Sequence, residues 1–488
     1  MHVLSQNVGI GTDNPTHKLH IVSATDPLRI EGLQPANESD SLVTVDDQGV
    51  LRKRNGIFTI SLTGWSTTGN SGTVPATNFL GTIDNKPLLI RTNNQPSGLI
   101  DPSGATRNNS YGYHSFTITA TGNGNNAFGY QALGNITTGS NNTAYGDSAG
   151  VNIITGNDNI VIGSKALLAT VSGGSNIAIG SNALKNNLSS ENIAIGKDAA
   201  ATGIAAGNIL AIGTGALQKN TNSNTQLAIG NNALQSIVGG MENVAVGYNA
   251  GLILTSATYN VLMGHYTLSS TTGASNNTVI GYNAGIGYTA SGNTNNTFIG
   301  YQSAISQTGG IGNTYVGASV DIVGNPMPSN SSAFGQGVLI TASNQVRVGN
   351  TSVTSIGGQV GWTTFSDARI KKNIQDDVPG LSFISKLRPV TYNYDVQSLQ
   401  RLQGAKTINT DASFGKIRFT GLVAQEVEAA AKSIGYDFSG VDKPTNEQTP
   451  YGIRYAELVV PMIKAMQEMQ LLIEKQQQEI EALKAKIK

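Results

Sequence analysis

Residues 176–184 read Asn-Ile-Ala-Ile-Gly-Ser-Asn-Ala-Leu, and close variants of this stretch recur along the middle of the chain. Every variant carries Gly directly after an apolar or aromatic residue, usually with Asn four residues before it and Ala three residues after it. Ten of the eleven intervals between these glycines are 16 or 17 residues, so one structural unit is repeated. The repeated glycines are Gly129, Gly146, Gly163, Gly180, Gly196, Gly213, Gly230, Gly247, Gly264, Gly281, Gly300 and Gly317.

A unit of this length is too short for a helix pair and predicts one coil of a β-solenoid, with two short strands and two turns. The apolar alternation at Ile177 and Ile179, repeated at Val244 and Val246, predicts a strand face that points inward. Gly supplies a backbone angle or a close approach, Ala packs where coils crowd, and Asn forms stacked ladders or turn caps. A dozen coils would make a rod of ~60 Å. Regular apolar positions argue against the alternative, a disordered low-complexity tract.

The repeats resemble the β-roll heads of trimeric autotransporter adhesins, as Asn176-Ile177-Ala178-Ile179-Gly180 illustrates. That resemblance implies stacked coils and a homotrimer. The coils of that family are a few residues shorter, so neither the detailed roll nor any binding residue is carried over.

Composition fits a fibre better than a compact enzyme. The 488 residues include 59 Gly, no Cys and only 12% charged residues, with zero net charge. The basic residues form no stripe, so nucleic acid is not an expected partner. Disulfides and thiolate chemistry are excluded. No signal-peptide pattern or long apolar run is visible, so we expect a protein without membrane insertion.

The chain divides into segments of different character. Residues 7–21 and 42–51 alternate apolar and polar residues around Gly and Pro, which predicts short strands, and they resemble segments of fibre and surface proteins. Lys, Arg and helix formers become frequent at Ser366, which marks a domain boundary. The expected parts are an attachment segment (1–54), a β-rich connecting region (55–124), the solenoid repeats (125–350), a connector (351–365) and a C-terminal domain (366–488).

The C-terminal domain opens with Phe-Ser-Asp-Ala-Arg-Ile-Lys-Lys-Asn-Ile at residues 365–374. This resembles the start of the intramolecular chaperone domain of phage tail spikes and endosialidases, the peptidase S74 family, with its Ser-Asp-x-x-x-Lys signature. Gly-Leu-Val-Ala-Gln-Glu-Val at 421–427 and Tyr-Ala-Glu-Leu-Val-Val-Pro at 455–461 extend the resemblance over about a quarter of the chain. It implies a domain that trimerises, guides folding of the preceding β-structure and cuts itself off with a Ser-Lys dyad.

Ser366 and Lys371 match the positions of that dyad. A serine hydroxyl needs a base at neutral pH, and a desolvated lysine can act as one. No His follows His265, so the domain contains no Ser-His-Asp triad. Residues five apart meet neither along a strand nor on a helix, so contact requires a turn or a neighbouring subunit. We therefore expect activity to depend on the folded trimer.

The cut is expected between Phe365 and Ser366 rather than between Ser366 and Asp367. Asp367 and Arg369 would support strand pairing or the geometry of the dyad. Two alternatives remain: Ser366 is an ordinary turn serine beside a solvated lysine, or the domain folds like its family but cleaves poorly.

A heptad pattern covers about 459–488 and predicts a coiled coil. The alternative is a helix packed on its own domain. Ile and Leu at these positions would by themselves favour two strands, so the expected trimer comes from the resemblance. The seam residues are Val459, Met462, Met466, Met469, Ile473, Gln476, Ile480, Leu483 and Ile487.

The sequence therefore predicts a mostly β protein with an elongated trimeric β-solenoid or β-roll shaft, short β segments before it, and an α+β chaperone domain ending in a coiled-coil helix. The leading hypothesis is a tail fibre of a phage or a phage-tail-like contractile injection system. The N-terminus would attach to a baseplate or tail component, and the shaft would bind a glycan or protein receptor on the host. Such particles assemble in the bacterial cytoplasm.

The alternative function is a bacterial cell-surface trimeric adhesin, and an enzyme acting on surface polysaccharide is a more remote one. No external substrate, cofactor or metal is expected. Histidines at 17 and 20 read as surface residues rather than metal ligands. Four tyrosines that follow a repeat Gly offer a sugar-stacking surface or pack between coils, namely Tyr130, Tyr248, Tyr282 and Tyr301.

Overall fold

The computed structural model describes residues 8–16, 18–22, 43–45, 51–53, 69, 71–74, 77–204, 207–222, 224–325, 327–404 and 414–487. The chain forms two compact units, Met1–Gly81 and Thr82–Lys488. In the first unit, parallel strands β1 (Val8–Ile10) and β2 (Leu19–Ile21) form one sheet. Antiparallel strands β3 (Val43–Val45) and β4 (Leu51–Lys53) form another. Short strands are thus present in both predicted segments, whereas His17 lies outside the described residues.

The second unit is dominated by a β-solenoid of about 14 turns, as the repeat predicts. Its strands stack in parallel with equivalent residues paired, so that Ile177 pairs with Ile193 and Ala178 with Ala194. An antiparallel hairpin, β5 with β6, precedes the first parallel strand, β7, and pairs with it. The ladder strands are β5 (Leu88–Thr92), β6 (Gln95–Ile100), β7 (Asn109–Tyr111), β8 (Asn126–Phe128), β9 (Thr143–Tyr145), β10 (Ile160–Ile162), β11 (Ile177–Ile179), β12 (Ile193–Ile195), β13 (Leu210–Ile212), β14 (Leu227–Ile229), β15 (Val244–Val246), β16 (Val261–Met263), β18 (Thr278–Ile280), β20 (Thr297–Ile299), β21 (Thr314–Val316), β23 (Ser332–Phe334) and β25 (Val346–Val348).

Most coils contain one three-residue strand, which corrects the expectation of two. A second short pairing occurs only late in the described ladder, between β17 (Ala274–Ser275) and β19 (Gly292–Asn293) and between β22 (Asp321–Ile322) and β24 (Leu339–Ile340). Elsewhere the rest of the coil is turns with residues in the left-handed region, such as Asn182 at φ 59° and Leu184 at φ 50°. The tight turns leave no room for a second regular strand.

The prediction that Ile177, Ile179, Val244 and Val246 point inward is wrong. Ala178, between the two isoleucines, is fully buried, whereas Ile177 and Ile179 are only half-buried. The interior of a coil is filled by the central strand residue and by turn residues such as Ala183 and Leu184. The central residue is Ala in most coils and a larger residue, such as Phe298, in others. The first and last residues of each strand therefore stand on the outside of the ladder.

These outward-facing residues form a continuous apolar surface along the described shaft, which we call the outer sheet face. Ile160 and Ile162 are each 41% exposed, and the same two columns continue through the following coils. The face comprises Ile160, Ile162, Ile177, Ile179, Ile193, Ile195, Leu210, Ile212, Leu227, Ile229, Val244, Val246, Val261 and Met263.

The repeated glycines allow adjacent coils to touch through their backbones, as predicted. Gly213 has φ +129°, and a Cβ there would lie 2.6 Å from the carbonyl carbon and oxygen of Gly230. Neither the angle nor the space accommodates a side chain.

A buried asparagine ladder runs through the coils and confirms the predicted stacking of Asn. The Asn142 side-chain amide donates to Asn125 Oδ1 at 3.0 Å and to the Gly156 carbonyl at 2.8 Å. Asn142 Oδ1 accepts from the Asn159 backbone N–H at 3.1 Å. Each amide thus binds both neighbouring coils, which satisfies polar groups that water cannot reach.

The C-terminal domain is α+β, as predicted, and its core gathers around Phe383, Val427 and Phe438. Two antiparallel strand pairs, β26 with β27 and β28 with β29, accompany four helices. No helix in the described part of the chain is long and apolar enough to cross a membrane. The elements are α1 (Leu381–Ile384), β26 (Val390–Tyr392), α2 (Val396–Leu402), β27 (Phe419–Gly421), α3 (Ala424–Lys432), β28 (Val441–Asp442), β29 (Gly452–Ile453) and α4 (Val459–Ile487), with 3₁₀ turns at Ala368–Ile370, Phe414–Lys416 and Tyr455–Leu458.

Candidate functional site

A single 3₁₀ turn at Ala368–Ile370 shapes the start of the C-terminal domain. Asp367 caps it, because its carboxylate accepts the Arg369 backbone N–H at 2.8 Å. The Lys371 backbone N–H donates to the Ala368 carbonyl at 3.2 Å and ends the turn. An Asp followed by one short turn is a common local arrangement, since the carboxylate satisfies an N–H that the turn leaves free.

This turn brings the two predicted dyad residues together. Lys371 Nζ donates a hydrogen bond to Ser366 Oγ over 2.8 Å. Of the two routes to contact, a turn or a neighbouring subunit, the turn is therefore sufficient within one chain. The catalytic role of the pair stays a prediction.

Asp367 and Arg369 stabilise the turn and take no part in strand pairing. The Arg369 guanidinium donates to both carboxylate oxygens of Asp367, with Nη2 2.6 Å from Oδ2 and Nε 3.0 Å from it. These hydrogen bonds from Arg369 lower the pKa of the Asp367 carboxyl. Because the pair is exposed to water, its electrostatic attraction contributes little stability, and its role is to hold the turn in place.

The dyad stands in water in a single chain. Every residue from Ser352 to Asp377 is exposed, and Phe365, on the other side of the predicted cut, is 89% exposed. A lysine gains the ability to act as a base when it is removed from water. The contact between the two predicted dyad residues is thus present, whereas the surface that would cover Lys371 is not supplied by the single chain.

Two further motifs meet beside the core of the domain. Gly421 lacks a side chain where a Cβ would lie 2.3 Å from the Tyr455 hydroxyl. That hydroxyl accepts the Leu422 backbone N–H at 2.9 Å. The sequence shows the stretches 421–427 and 455–461 only as separate motifs. In the structure they pack against each other.

Comparison with known protein families agrees with this geometry. Residues 366–436 match the peptidase S74 family, described as chaperone of endosialidase. The chain carries a chaperone domain. The match begins at Ser366, two residues before the 3₁₀ turn, and the core that packs within the matched residues also includes Phe438 and Leu458, which follow them. We use the name chaperone domain for the matched residues together with the elements that pack on them. No curated protein matches the chain.

The last helix of the chaperone domain, α4, packs on its own domain with one face and exposes another face. Pro461 and Ala465 are buried, and Glu468 Oε2 accepts the Leu381 backbone N–H at 2.7 Å. The helix thus packs on its own domain near its start, as one of the two interpretations proposed. The predicted seam residues are nevertheless exposed, and their association stays a prediction: Val459, Met462, Met466, Met469, Ile473, Gln476, Ile480, Leu483 and Ile487.

The four repeat tyrosines are partly exposed and also pack between coils. Tyr282 and Tyr301 stack with ring centroids 5.7 Å apart and planes 11° apart. Tyr130 stacks in the same way on Tyr113, at 6.1 Å and 10°. Stacking thus covers one face of Tyr130, Tyr282 and Tyr301, whereas Tyr248 meets Tyr266 edge-on with ring centroids 5.3 Å apart.

Proposed function

We propose that this chain is a homotrimeric, tail-fibre-like protein whose chaperone domain templates folding of the β-solenoid and then cuts the chain next to Ser366. The observation that carries the proposal is the 2.8 Å contact between Lys371 Nζ and Ser366 Oγ. It lies in an exposed segment between the last ladder strand, which ends at Val348, and the chaperone domain.

The uncovered apolar surfaces of a single chain support the trimer. The outer sheet face runs along the shaft, and the seam of α4 presents a second apolar face. Monomeric proteins rarely leave such large apolar areas in water. Because equivalent residues repeat at every coil, a second copy of the same face matches the first over its whole length.

Trp362, Phe365 and Ile370 are further exposed apolar residues, and they lie within a few residues of the dyad in the sequence. If neighbouring copies cover these residues, Lys371 loses water and more readily gives up its proton. Assembly and cleavage would then be coupled, since an unassembled chain lacks a working base.

The proposed cut is an acyl transfer within the chain. Neutral Lys371 takes the proton from Ser366 Oγ, which attacks the carbonyl carbon of Phe365 and forms an ester. The Ser366 nitrogen receives the proton from Lys371 as its bond to that carbon breaks. Water then hydrolyses the ester, leaving a carboxylate on Phe365 and restoring the hydroxyl of Ser366.

The test compares the wild-type chain with Ser366→Ala and Lys371→Ala. Mass spectrometry of the assembled wild type should find fragments ending at Phe365 and beginning at Ser366, and both variants should stay intact. Native mass spectrometry should give a trimer for all three proteins. Wild type that is intact after assembly would contradict cleavage, and a monomer or dimer would contradict the proposed assembly.

We further propose that the fibre attaches to a phage or injection particle through its N-terminal unit and binds a host-surface receptor with its shaft. The elongated ladder and the partly exposed tyrosines support this role. Labelled trimers should bind whole host cells, and antibody labelling should locate the protein on particles. Labelling confined to the surface of the producing cell would favour the adhesin alternative.

A further inference from the structure

The chaperone domain touches the end of the solenoid at a place remote in sequence from the proposed cut. Thr341, in the last coil, is only 2% exposed, and its Oγ1 lies 2.9 Å from Thr449 Oγ1. The Asn446 side-chain amide donates to the Thr341 carbonyl over 2.7 Å. Thr341 is thus held by the chaperone domain through both its hydroxyl and its backbone.

A second set of contacts places two glycine backbones directly against side chains of the other part. A Cβ on Gly404 would lie 2.8 Å from Val323 Cγ1, and a Cβ on Gly324 would lie 2.5 Å from Gln448 Oε1. Gly324 and Thr341 follow β22 and β24, which pair with each other, so the domain contacts the same turn in two successive coils.

Thr351 extends this surface toward α2, where the buried Gln400 side chain donates to Thr351 Oγ1 over 3.1 Å. We call the whole surface the end seam. On the coil side it comprises Val323, Gly324, Thr341 and Thr351, and on the domain side Gln400, Gly404, Asn446, Gln448 and Thr449.

Every end-seam residue lies outside the exposed segment from Ser352 to Asp377. The proposed cut at Ser366 falls inside that segment, so it severs the covalent link without touching any contact of the end seam. We propose that the chaperone domain stays bound to the last two coils after the chain is cut, held by the end seam. This inference rests on the proposed function for the cut but not on its chemistry.

The packing of the end seam indicates that the cut chaperone domain is bound reversibly to the coils. A cavity of about 780 Å³ opens beside Gln400 between α2 and the coils, so the interface is not packed throughout. The polar groups that meet there can return to water when the parts separate, so each hydrogen bond contributes only modestly. In a trimer, three seams would hold together, and release would require all of them to open.

The test uses the full-length chain with Ser366→Ala, which blocks self-cleavage, and a recognition sequence for a site-specific protease inserted after Gly358. After digestion, size-exclusion chromatography at micromolar concentration should show the two pieces eluting together. Adding Thr341→Val and Asn446→Ala should raise the dissociation constant by ~10-fold or more, because one buried and one partly buried hydrogen bond of the end seam are lost.

Thr289→Val is the matched control, since the Thr289 hydroxyl binds the Thr308 carbonyl on the shaft, away from the end seam. If the double variant misfolds by circular dichroism, Thr449→Val alone removes one seam hydroxyl from the domain side. Complete separation of the unmodified pieces, or equal retention in a folded seam variant and the control, would overturn the proposal. Because the added protease makes the cut, these outcomes are distinct from a failure of self-cleavage.

Discussion

Lys371 Nζ and Ser366 Oγ lie 2.8 Å apart across one capped 3₁₀ turn, so the two predicted dyad residues meet within one chain. From their spacing alone, contact required either a turn or a neighbouring copy. Because both residues are exposed in one chain, the proposed assembly would act on the pair by removing it from water rather than by bringing it together.

Asp367→Ala should slow self-cleavage without abolishing it. The substitution removes the cap of the turn and the partner of Arg369, so the turn that holds Lys371 against Ser366 should form less often. The rate of cleavage should therefore fall ~5-fold. Time courses of fragment formation would measure it, with Asp376→Ala as an exposed-carboxylate control. Equal rates for Asp367→Ala and wild type would show that the cap does not position the base.

The repeat predicted the positions of the ladder strands but not the direction of their side chains. The sequence pattern of a three-residue strand with apolar first and last residues is the same whether those two residues or the central residue face inward. The coil places the central strand residue inside, whether it is Ala178 or the much larger Phe298, and leaves the first and last strand residues outside. Alternation therefore identifies the two faces, whereas the crowding of neighbouring turns, which depends on the whole coil, determines which one is buried.

The end seam had no signal in the sequence. Thr341 and Thr449 are 108 residues apart, and Thr351 and Gln400 are 49 apart, in segments without a motif. The dyad turn, by contrast, is local. Because Ser366 and Lys371 are only five positions apart, few backbone geometries can bring them into contact. Short-range geometry was thus predictable, and docking of the domain on the coils was not.

Gly213→Ala should destabilise the shaft strongly. The added Cβ would lie 2.6 Å from the Gly230 carbonyl, at a φ of +129° that an alanine rarely adopts. Gly239→Ala is the control, because nothing lies within 4 Å of a Cβ there. Thermal unfolding should occur at a clearly lower temperature for Gly213→Ala only. Similar melting of the two variants would contradict the close-contact role of the repeat glycine.

Asn142→Ala should cost about 3 kcal/mol of unfolding free energy, because it leaves the buried Gly156 carbonyl and Asn159 backbone N–H on the following coil without their partners. The lost contacts include those to Asn125, Gly156 and Asn159. Asn135→Ala removes a single exposed hydrogen bond to Asn152 and should be nearly neutral. Denaturant unfolding of both variants measures the difference. A small effect at Asn142 would mean that water can replace the ladder.

The chaperone domain should lose stability at acid pH because Glu428 becomes protonated. Its carboxylate is 2.7 Å from Lys432 Nζ and 3.1 Å from Lys443 Nζ, and these contacts lower the pKa of Glu428 to about 2 from an ordinary 4.5. A carboxyl whose pKa is depressed by folding stabilises above its unfolded pKa, and that stability is lost as pH falls toward 2. Denaturant unfolding of Glu428→Gln should therefore depend less on pH below 4.5 than wild type. Glu447→Gln, which replaces an exposed carboxylate of the same domain, is the control.

Replacing Ile473 and Ile480 together by Lys should break the trimer. Both are exposed on α4, whose own domain already packs on another face through Pro461 and Ala465, so folding of the monomer does not need them. In a coiled coil each would be buried, and burying an Ile side chain stabilises by about 1.5–3 kcal/mol.

Gln478→Lys adds a charge to the same helix away from the seam and should leave the trimer intact. Native mass spectrometry distinguishes trimer, dimer and monomer. If covering by neighbours is what desolvates Lys371, the double variant should also lose self-cleavage while Gln478→Lys retains it. A double variant that stays trimeric would place assembly on the outer sheet face instead, and one that is monomeric yet cleaves would show that Lys371 acts without a partner subunit.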